Sequence, residues 1–223
     1  MPLYTIVTPT LNRARYFPTL VKCILNQTVE DWEWIIMDDG DDDTESHLPK
    51  DNRIHYIKTE PMTLGKKHNV ASVLATSPVV AHFDSDDWHA PYRTEQQLQD
   101  VKKTGITGSK SIGMWDEDTH QCWLYASHLE WFLTGGTLCY RKEWGVENPF
   151  GDTNYEDDLK MCEAHKDVTT AGAGPDTSLI VSRIHKSNTC PRDLKAGCFF
   201  PLQPTDMPEW FQTEGVELLP EKY

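Results

Sequence analysis

Four consecutive residues, Asp84-Ser85-Asp86-Asp87, close a short apolar run and carry the densest chemistry in the chain. Carboxylates at i and i+2 on a turn after a strand can point to one side. Such a pair offers hard oxygen ligands to a divalent cation and leaves coordination positions for a phosphate. The same residues also read as a solvated acidic loop, or as the cap of a helix after Pro91. Asp38-Asp39-Gly40 ends a second apolar run. An ionised carboxylate only accepts hydrogen bonds, which suits a ribose or a base, although Asp-Gly is also a turn dipeptide. His185 follows a third apolar run, in Arg183-Ile184-His185-Lys186. A neutral imidazole beside carboxylates suits Mn²⁺; a lone histidine serves equally as a structural hydrogen bonder. Glu156-Asp157 could supply a general base or cap a helix.

The elements that must position these groups follow from hydrophobic spacing. Runs at residues 4–8, 32–37, 53–57 and 78–83 read as strands, the first stopping at Pro9. Residues 17–27, with Phe17, Leu20, Val21, Ile24 and Leu25 at helical spacing, predict a helix. So do 64–75 and the more polar 92–103, with Leu98 and Val101 facing inward. The first half is therefore β-α-β-β-α-β-α, an α/β order that implies a mostly parallel sheet. Ligands of such sheets sit outside the carboxyl ends of the strands. Thr8-Pro9-Thr10, Asp38-Asp39-Gly40 and the 84–87 acids all fall at strand ends. Residues 105–138 mix Gly, Trp and Thr with short strands, which predicts antiparallel structure. A helix is expected to open near Glu156-Asp157-Asp158, where acids complement the helix dipole, and 178–184 reads as a last strand. From 191 on, Pro and Gly interrupt the pattern. This tail is expected to wrap the domain, with a short amphipathic piece at Trp210-Phe211.

Composition narrows the function classes. The chain has 223 residues, long enough for one large domain with a sizeable core. Its net charge of −14 makes nucleic acid and anionic lipid poor default partners. No window approaches 18 uninterrupted apolar residues, so no integral membrane segment is expected, and the start lacks a secretory signal pattern. The six cysteines form no C-x-x-C pair and read as reduced thiols of a cytoplasmic protein.

The order of the short motifs says more than any one of them. Thr-Pro-Thr-Leu-Asn-Arg (8–13) comes first, then Asp38-Asp39-Gly40 and Gly65-Lys66-Lys67-His68-Asn69. Asp84-Ser85-Asp86-Asp87, Gly135-Gly136, Glu156-Asp157 and Arg183-Ile184-His185 follow. This succession resembles glycosyltransferase family 2, over about residues 3–190. The resemblance implies the GT-A fold: Rossmann-like α/β, a single domain with a mostly parallel central sheet and a smaller antiparallel acceptor-side sheet. It divides the chain into a GT-A domain at 1–190 and a C-terminal tail at 191–223. Within the domain, 1–104 would bind the nucleotide-sugar and 105–190 would form the acceptor and catalytic half.

By the same resemblance, Thr8, Pro9 and Asn12 contact the nucleoside, and Asp38 and Asp39 read base and ribose. Lys67, with Asn69 in the same motif, lies near the base or diphosphate. Asp84 and Ser85 border the ribose and metal shell, Asp86 binds Mn²⁺ or Mg²⁺ directly, and His185 completes the coordination. Asp157 would be the general base, with Asp158 an alternative one position on, and Trp88 would line the site. The implied reaction is metal-dependent, inverting transfer from a nucleotide-sugar to a glycan or other hydroxyl acceptor. A UDP-sugar is the first choice of donor; GDP- and dTDP-sugars stay open, as does a homodimer. Trp115, Trp123, Tyr125, Trp131 and Phe132 fall where an acceptor surface would be built, or else in the core. Departures from the family pattern are Asp41 after Asp-Asp-Gly and Tyr155 beside the candidate base. Rival readings are a nucleotidylyltransferase, a non-catalytic nucleotide- or sugar-binding protein, and a transferase acting on a modified nucleic-acid base. The first would usually place glycines in the 10–13 loop to grip a triphosphate, and none are there.

Overall fold

The computed structural model describes residues 1–129, 131–155, 158–164, 179–190 and 192–212. In chain order the elements are β1 (Tyr4–Thr10), α1 (Phe17–Leu25), β2 (Trp32–Asp38), β3 (Ile54–Lys58), α2 (Leu64–Leu74) and β4 (Val79–His82). Next come β5 (Trp88–His89), α3 (Arg93–Thr104), β6 (Ile106–Thr107), β7 (Ser111–Asp116), β8 (Cys122–Ala126) and β9 (Cys139–Arg141). The last are α4 (Lys142–Glu147), α5 (Leu159–Glu163), β10 (Ile180–Ile184) and β11 (Phe199–Leu202).

The apolar runs form the centre of a six-stranded sheet, ordered β3-β2-β1-β4-β9-β6. The first four strands are parallel; β9 joins β4 antiparallel, and β6 joins β9 antiparallel. Both faces are covered, so β1 and β2 are buried at every position. Alternation divides them between two cores. Ile6, Trp34 and Ile36 meet Phe17, Leu20 and Ile24 of α1 on one face, while Val7, Ile35 and Met37 meet Ala71 of α2 on the other. Full burial of each such side chain contributes about 1.5–3 kcal/mol before chain entropy is counted.

Strand β1 runs through Pro9 instead of stopping there. On its β4 side pairing ends at Val7↔His82, so the missing N–H of Pro9 breaks no ladder bond with β4. A second sheet, ordered β11-β8-β7-β10-β5, stands beside the first. It is antiparallel except where β10 runs parallel to β7. Strands also cross between the halves read from sequence: β5 joins the second sheet, and β6 and β9 extend the first. In the tail, β11 pairs with β8, and Phe211 packs edge-on to Trp88 with ring centroids 5.1 Å apart. Residues 213–223 lie outside the described part. Among the described residues no helix is long and apolar enough to cross a membrane.

Candidate active site

Strand order reverses at β1, which has β2 on one side and β4 on the other. The carboxyl ends of these strands open at that switch point onto a cleft of about 1320 Å³, whose other wall is the second sheet.

The 84–87 turn follows β4 and forms the floor of the cleft. Asp86 Oδ2 accepts a hydrogen bond from Arg13 Nη1 and lies 2.7 Å from His185 Nε2, across 99 positions of sequence. Burial works to raise the Asp86 carboxyl, but the Arg13 charge and His185 outweigh it and hold the group down to about 2. Burial, and then the neighbouring Asp86 charge, push Asp84 up to about 6. Asp87 is pushed well above the usual carboxylate range by burial, then by Asp86 and Asp84. Three acids of one turn thus titrate apart because their surroundings differ.

Strand β10 delivers His185 to this turn. Asp87 Oδ1 accepts from the Arg183 N–H at 2.8 Å, and Arg183 Nε donates to the Asp86 carbonyl at 3.1 Å. The Arg183 guanidinium lies 3.7 Å over the Trp88 ring, and Tyr16 packs on His185 with centroids 4.9 Å apart. His185 Nδ1 accepts from the Ser187 N–H at 3.2 Å. With that nitrogen taken, a neutral ring carries its proton on Nε2 and donates it to Asp86.

The β2 end supplies a second buried pair. Lys67, in the first turn of α2, donates to Asp39 and, at 2.9 Å, to the Thr10 carbonyl. Asp39 Oδ2 also accepts from the Met62 N–H at 3.1 Å. Pro9, Thr10, Asp39, Lys67, Asp84, Ser85 and Asp86 therefore share one cleft.

Other residues singled out from sequence stand behind it. Asp38 is fully buried, its oxygens accepting from the Gly40 N–H and the Tyr56 hydroxyl, both at 2.7 Å. Thr8 accepts from Trp34 Nε1 at 2.9 Å and donates to the Phe83 carbonyl at 2.8 Å. Asn12 has a left-handed backbone, φ 55°, and its Oδ1 accepts from the Asp41 N–H at 2.6 Å. Asn69 clasps the backbone of Phe150, accepting at 2.9 Å and donating at 3.1 Å. Trp88 does not reach the cleft wall. It is buried against Trp115, Phe211 and Arg183, because β5 turns its ring into the second-sheet core.

Of the five aromatics in the 105–138 region, Tyr125 and Phe132 face the cleft. Trp115, Trp123 and Trp131 pack into apolar clusters. Tyr125 is joined by Phe199 of β11, centroids 5.4 Å apart, and with Ile112 and Met114 they make the second-sheet wall apolar. Asp157 lies outside the described residues. Its neighbour Asp158 lines the cleft on the side of Gly135, and Tyr155 stands exposed at the cleft.

Some residues that build the site gave no strong sequence signal. Arg13 had one, following Asn12 in the β1-end motif. Arg93 had none. It is fully buried and donates to the His82 carbonyl at 2.5 Å and the Gly136 carbonyl at 2.9 Å. Burial lowers its guanidinium to about 10, so it stays charged at neutral pH. Arg93 thus ties the β4 end to the Gly135–Thr137 turn. Gly136 is required there, because a Cβ would collide with the Asp84 carboxylate.

A switch-point cleft floored by acids and walled by a second sheet defines an α/β protein with its candidate ligand site outside the carboxyl ends of its parallel strands. Residues 5–143 match the glycosyl transferase family 2 model, more than half of the chain, and the protein belongs to that family. Among relatives, chondroitin synthase of Escherichia coli is 32% identical over 108 residues, 46% of this chain and 16% of the relative. The glycosyltransferase EpsH of Bacillus subtilis, named as putative, is 32% identical over 103 residues, 44% of this chain and 30% of EpsH. The chain thus spans less than a third of either relative. Two solved structures share the fold. S. aureus TarS (residues 1–349) with UDP-GlcNAc has TM-score 0.63 and 16% identity, over 85% of this chain and 60% of that one. Mannosyltransferase PcManGT from Pyrobaculum calidifontis, with GDP-Man and Mn²⁺, also has TM-score 0.63 and 16% identity, over 84% and 59%.

Proposed function

We propose that this chain transfers a sugar from a nucleotide-sugar, a UDP-sugar first, to an acceptor hydroxyl with inversion. The observation that carries the reading is the meeting of Asp86 with His185, beside Asp84, at the carboxyl end of β4. A carboxylate and an imidazole suit Mn²⁺ or Mg²⁺. Among the described residues no three His, Cys, Asp or Glu side chains gather as a metal site. That donor set fits a cation that arrives chelated by a diphosphate and keeps water ligands, rather than one caged by protein. Asp86 and His185 would hold it, and a bound cation supplies Lewis-acid neutralisation of the departing diphosphate.

To ligate through Nε2, His185 must carry its proton on Nδ1, where the Ser187 hydroxyl, 2.8 Å away, can accept it. Arg13 then gives up part of its contact with Asp86, and its Nη2 remains anchored on the Ser187 carbonyl and Thr189 Oγ1. Lys67 and Asp39 form the nucleoside end of the cleft, and Thr8, Asn12, Asp38 and Asn69 support the loops from behind. Asp157 is the base that accepts the acceptor's proton as its oxygen attacks the anomeric carbon, with Asp158 the alternative. Base assistance of this kind is worth about 10²–10⁴ in rate. Aromatic and aliphatic side chains of the second-sheet wall suit the apolar face of a glycan acceptor.

Thermal shift of the protein with UDP, GDP or dTDP, with and without Mn²⁺, tests the donor site. Binding at about 100 times Kd adds roughly 2.7 kcal/mol, a rise of about 5–10 °C for a chain of this size. Release of UDP from UDP-sugars then tests turnover, and comparison of Asp157→Asn with Asp158→Asn assigns the base. Folded protein that shifts with none of the three diphosphates would overturn the reading.

A further inference from the structure

Among the described residues three cations line the cleft: Arg13, Lys67 and Arg192. Two are spoken for, Arg13 by Asp86 and Lys67 by Asp39. Arg192 differs. Its Nε is buried, and no hydrogen-bond acceptor reaches it among the described residues. Buried N–H groups in native proteins have partners in the great majority of cases, so an unpaired one in a side chain that lines the cleft points to an acceptor supplied by a ligand. After β10, residues 187–190 and 192–193 line the cleft. Arg13 pins this stretch at the Ser187 carbonyl and Thr189, and the Ala126 N–H holds the chain at the Cys198 carbonyl. Between those anchors Arg192 stands close enough to Asp84 and Tyr125 for its charge to act on both. It forms no ion pair with Asp84 within 4 Å.

We infer that Arg192 is a donor-binding residue whose guanidinium grips the sugar-bearing phosphate of the nucleoside diphosphate. This rests on the glycosyl-transfer reading above. A planar guanidinium matches phosphate oxygens with paired N–H bonds, and this phosphate is the donor group due between the acid floor and the acceptor wall. As the bond from the anomeric carbon to its phosphate oxygen breaks, the electron pair passes to that oxygen. The acceptor oxygen forms the new bond and loses its proton to the base. Negative charge therefore grows at the phosphate Arg192 faces.

The test is equilibrium binding in Mn²⁺ of a nucleoside diphosphate and its monophosphate, UDP and UMP first, to wild type, Arg192→Ala and Arg192→Lys. Loss of a charged hydrogen bond predicts about 10- to 100-fold weaker UDP binding by Arg192→Ala. UMP binding should not change, and Arg192→Lys should recover part of the loss. The unliganded Arg192→Ala protein should melt close to the wild type, since among the described residues the Nε has no hydrogen bond to lose. Wild-type binding of UDP with Arg192→Ala within twofold overturns this inference alone, as does equal weakening of UDP and UMP. Weakening confined to UDP-glucuronate, with UDP and UDP-glucose unaffected, overturns it in favour of a sugar carboxylate. A wild type that binds no nucleoside diphosphate overturns the transferase reading itself.

Discussion

The acid floor and the second-sheet wall of the same cleft are built in opposite ways. On the floor, charges are matched inside the molecule: Arg13 with Asp86, Lys67 with Asp39, and Arg93 with the carbonyls of His82 and Gly136. Across from it stand Ile112, Met114, Tyr125 and Phe199, which offer area and little charge, and Arg192, whose Nε has no acceptor among the described residues. A floor whose side chains are already held by internal partners loses little entropy on binding a ligand. The wall carries the features that would vary with acceptor.

The comparison breaks most visibly at Asp86. Asp86→Ala removes the acid shared by Arg13 and His185 and should lower UDP release from a UDP-sugar by about 10³-fold, some 4 kcal/mol. A variant within tenfold of wild type would move the cation site elsewhere. Next comes Arg93→Met, which strips a buried charge from its acceptors. A cost of about 3–5 kcal/mol corresponds to a melting temperature lower by about 10 °C, readable by calorimetry without any substrate. Gly136→Ala sharpens the picture further. Its methyl group would push on the Asp84 carboxylate, so turnover should fall by about 10²-fold, roughly 2.7 kcal/mol, while the melting temperature changes less than in Arg93→Met.

A pH effect isolates Asp84. Its carboxyl is raised to about 6 by burial and by Asp86, above the ordinary value near 3.8. The folded protein therefore holds this proton more tightly than the unfolded chain. Asp84 imposes no penalty below pH ~4, an increasing one as pH rises towards ~6, and its full penalty above that. Asp84→Asn should accordingly raise the melting temperature of the metal-free protein at pH 7 and leave it near wild type at pH 4. Equal effects at both pH values would show that the carboxylate is not strained by its surroundings. The smallest effect belongs to the wall. Tyr125→Ala should raise KM for a glycan acceptor by about tenfold, the worth of one ring contact of roughly 1.4 kcal/mol, with KM for the donor unchanged.

Much of the acid floor was legible because it is local. Apolar runs of strand length, three of the four meeting Asp or Thr at their ends, mark both the strands and the chemistry there. Burial on both faces forces the Val, Ile and Trp content of β1 and β2. Helix α1 was legible in the same way, although Leu25, one of the apolar residues at helical spacing, is 45% exposed where the helix ends. Two readings failed where a neighbour decided the matter. Pro9 did not end β1, because β4 had already diverged. Trp88 went to the core, because β5 pairs with β10, a strand more than ninety positions away in the chain.

By itself, then, the sequence determined the α/β order, the strand-end acids and the succession of motifs that places the chain in its family. Those features depend on residue type and short spacing, which a linear reading preserves. Tertiary structure decided which groups meet. Asp86 reaches His185 only because Asp87 and Arg183 fasten the β4 turn to β10. Arg93 and Gly136 meet each other across 43 positions, and Gly136 meets Asp84 across 52. Contacts of that range are fixed by packing and by the need to satisfy buried polar groups, and neither leaves a local mark on the chain.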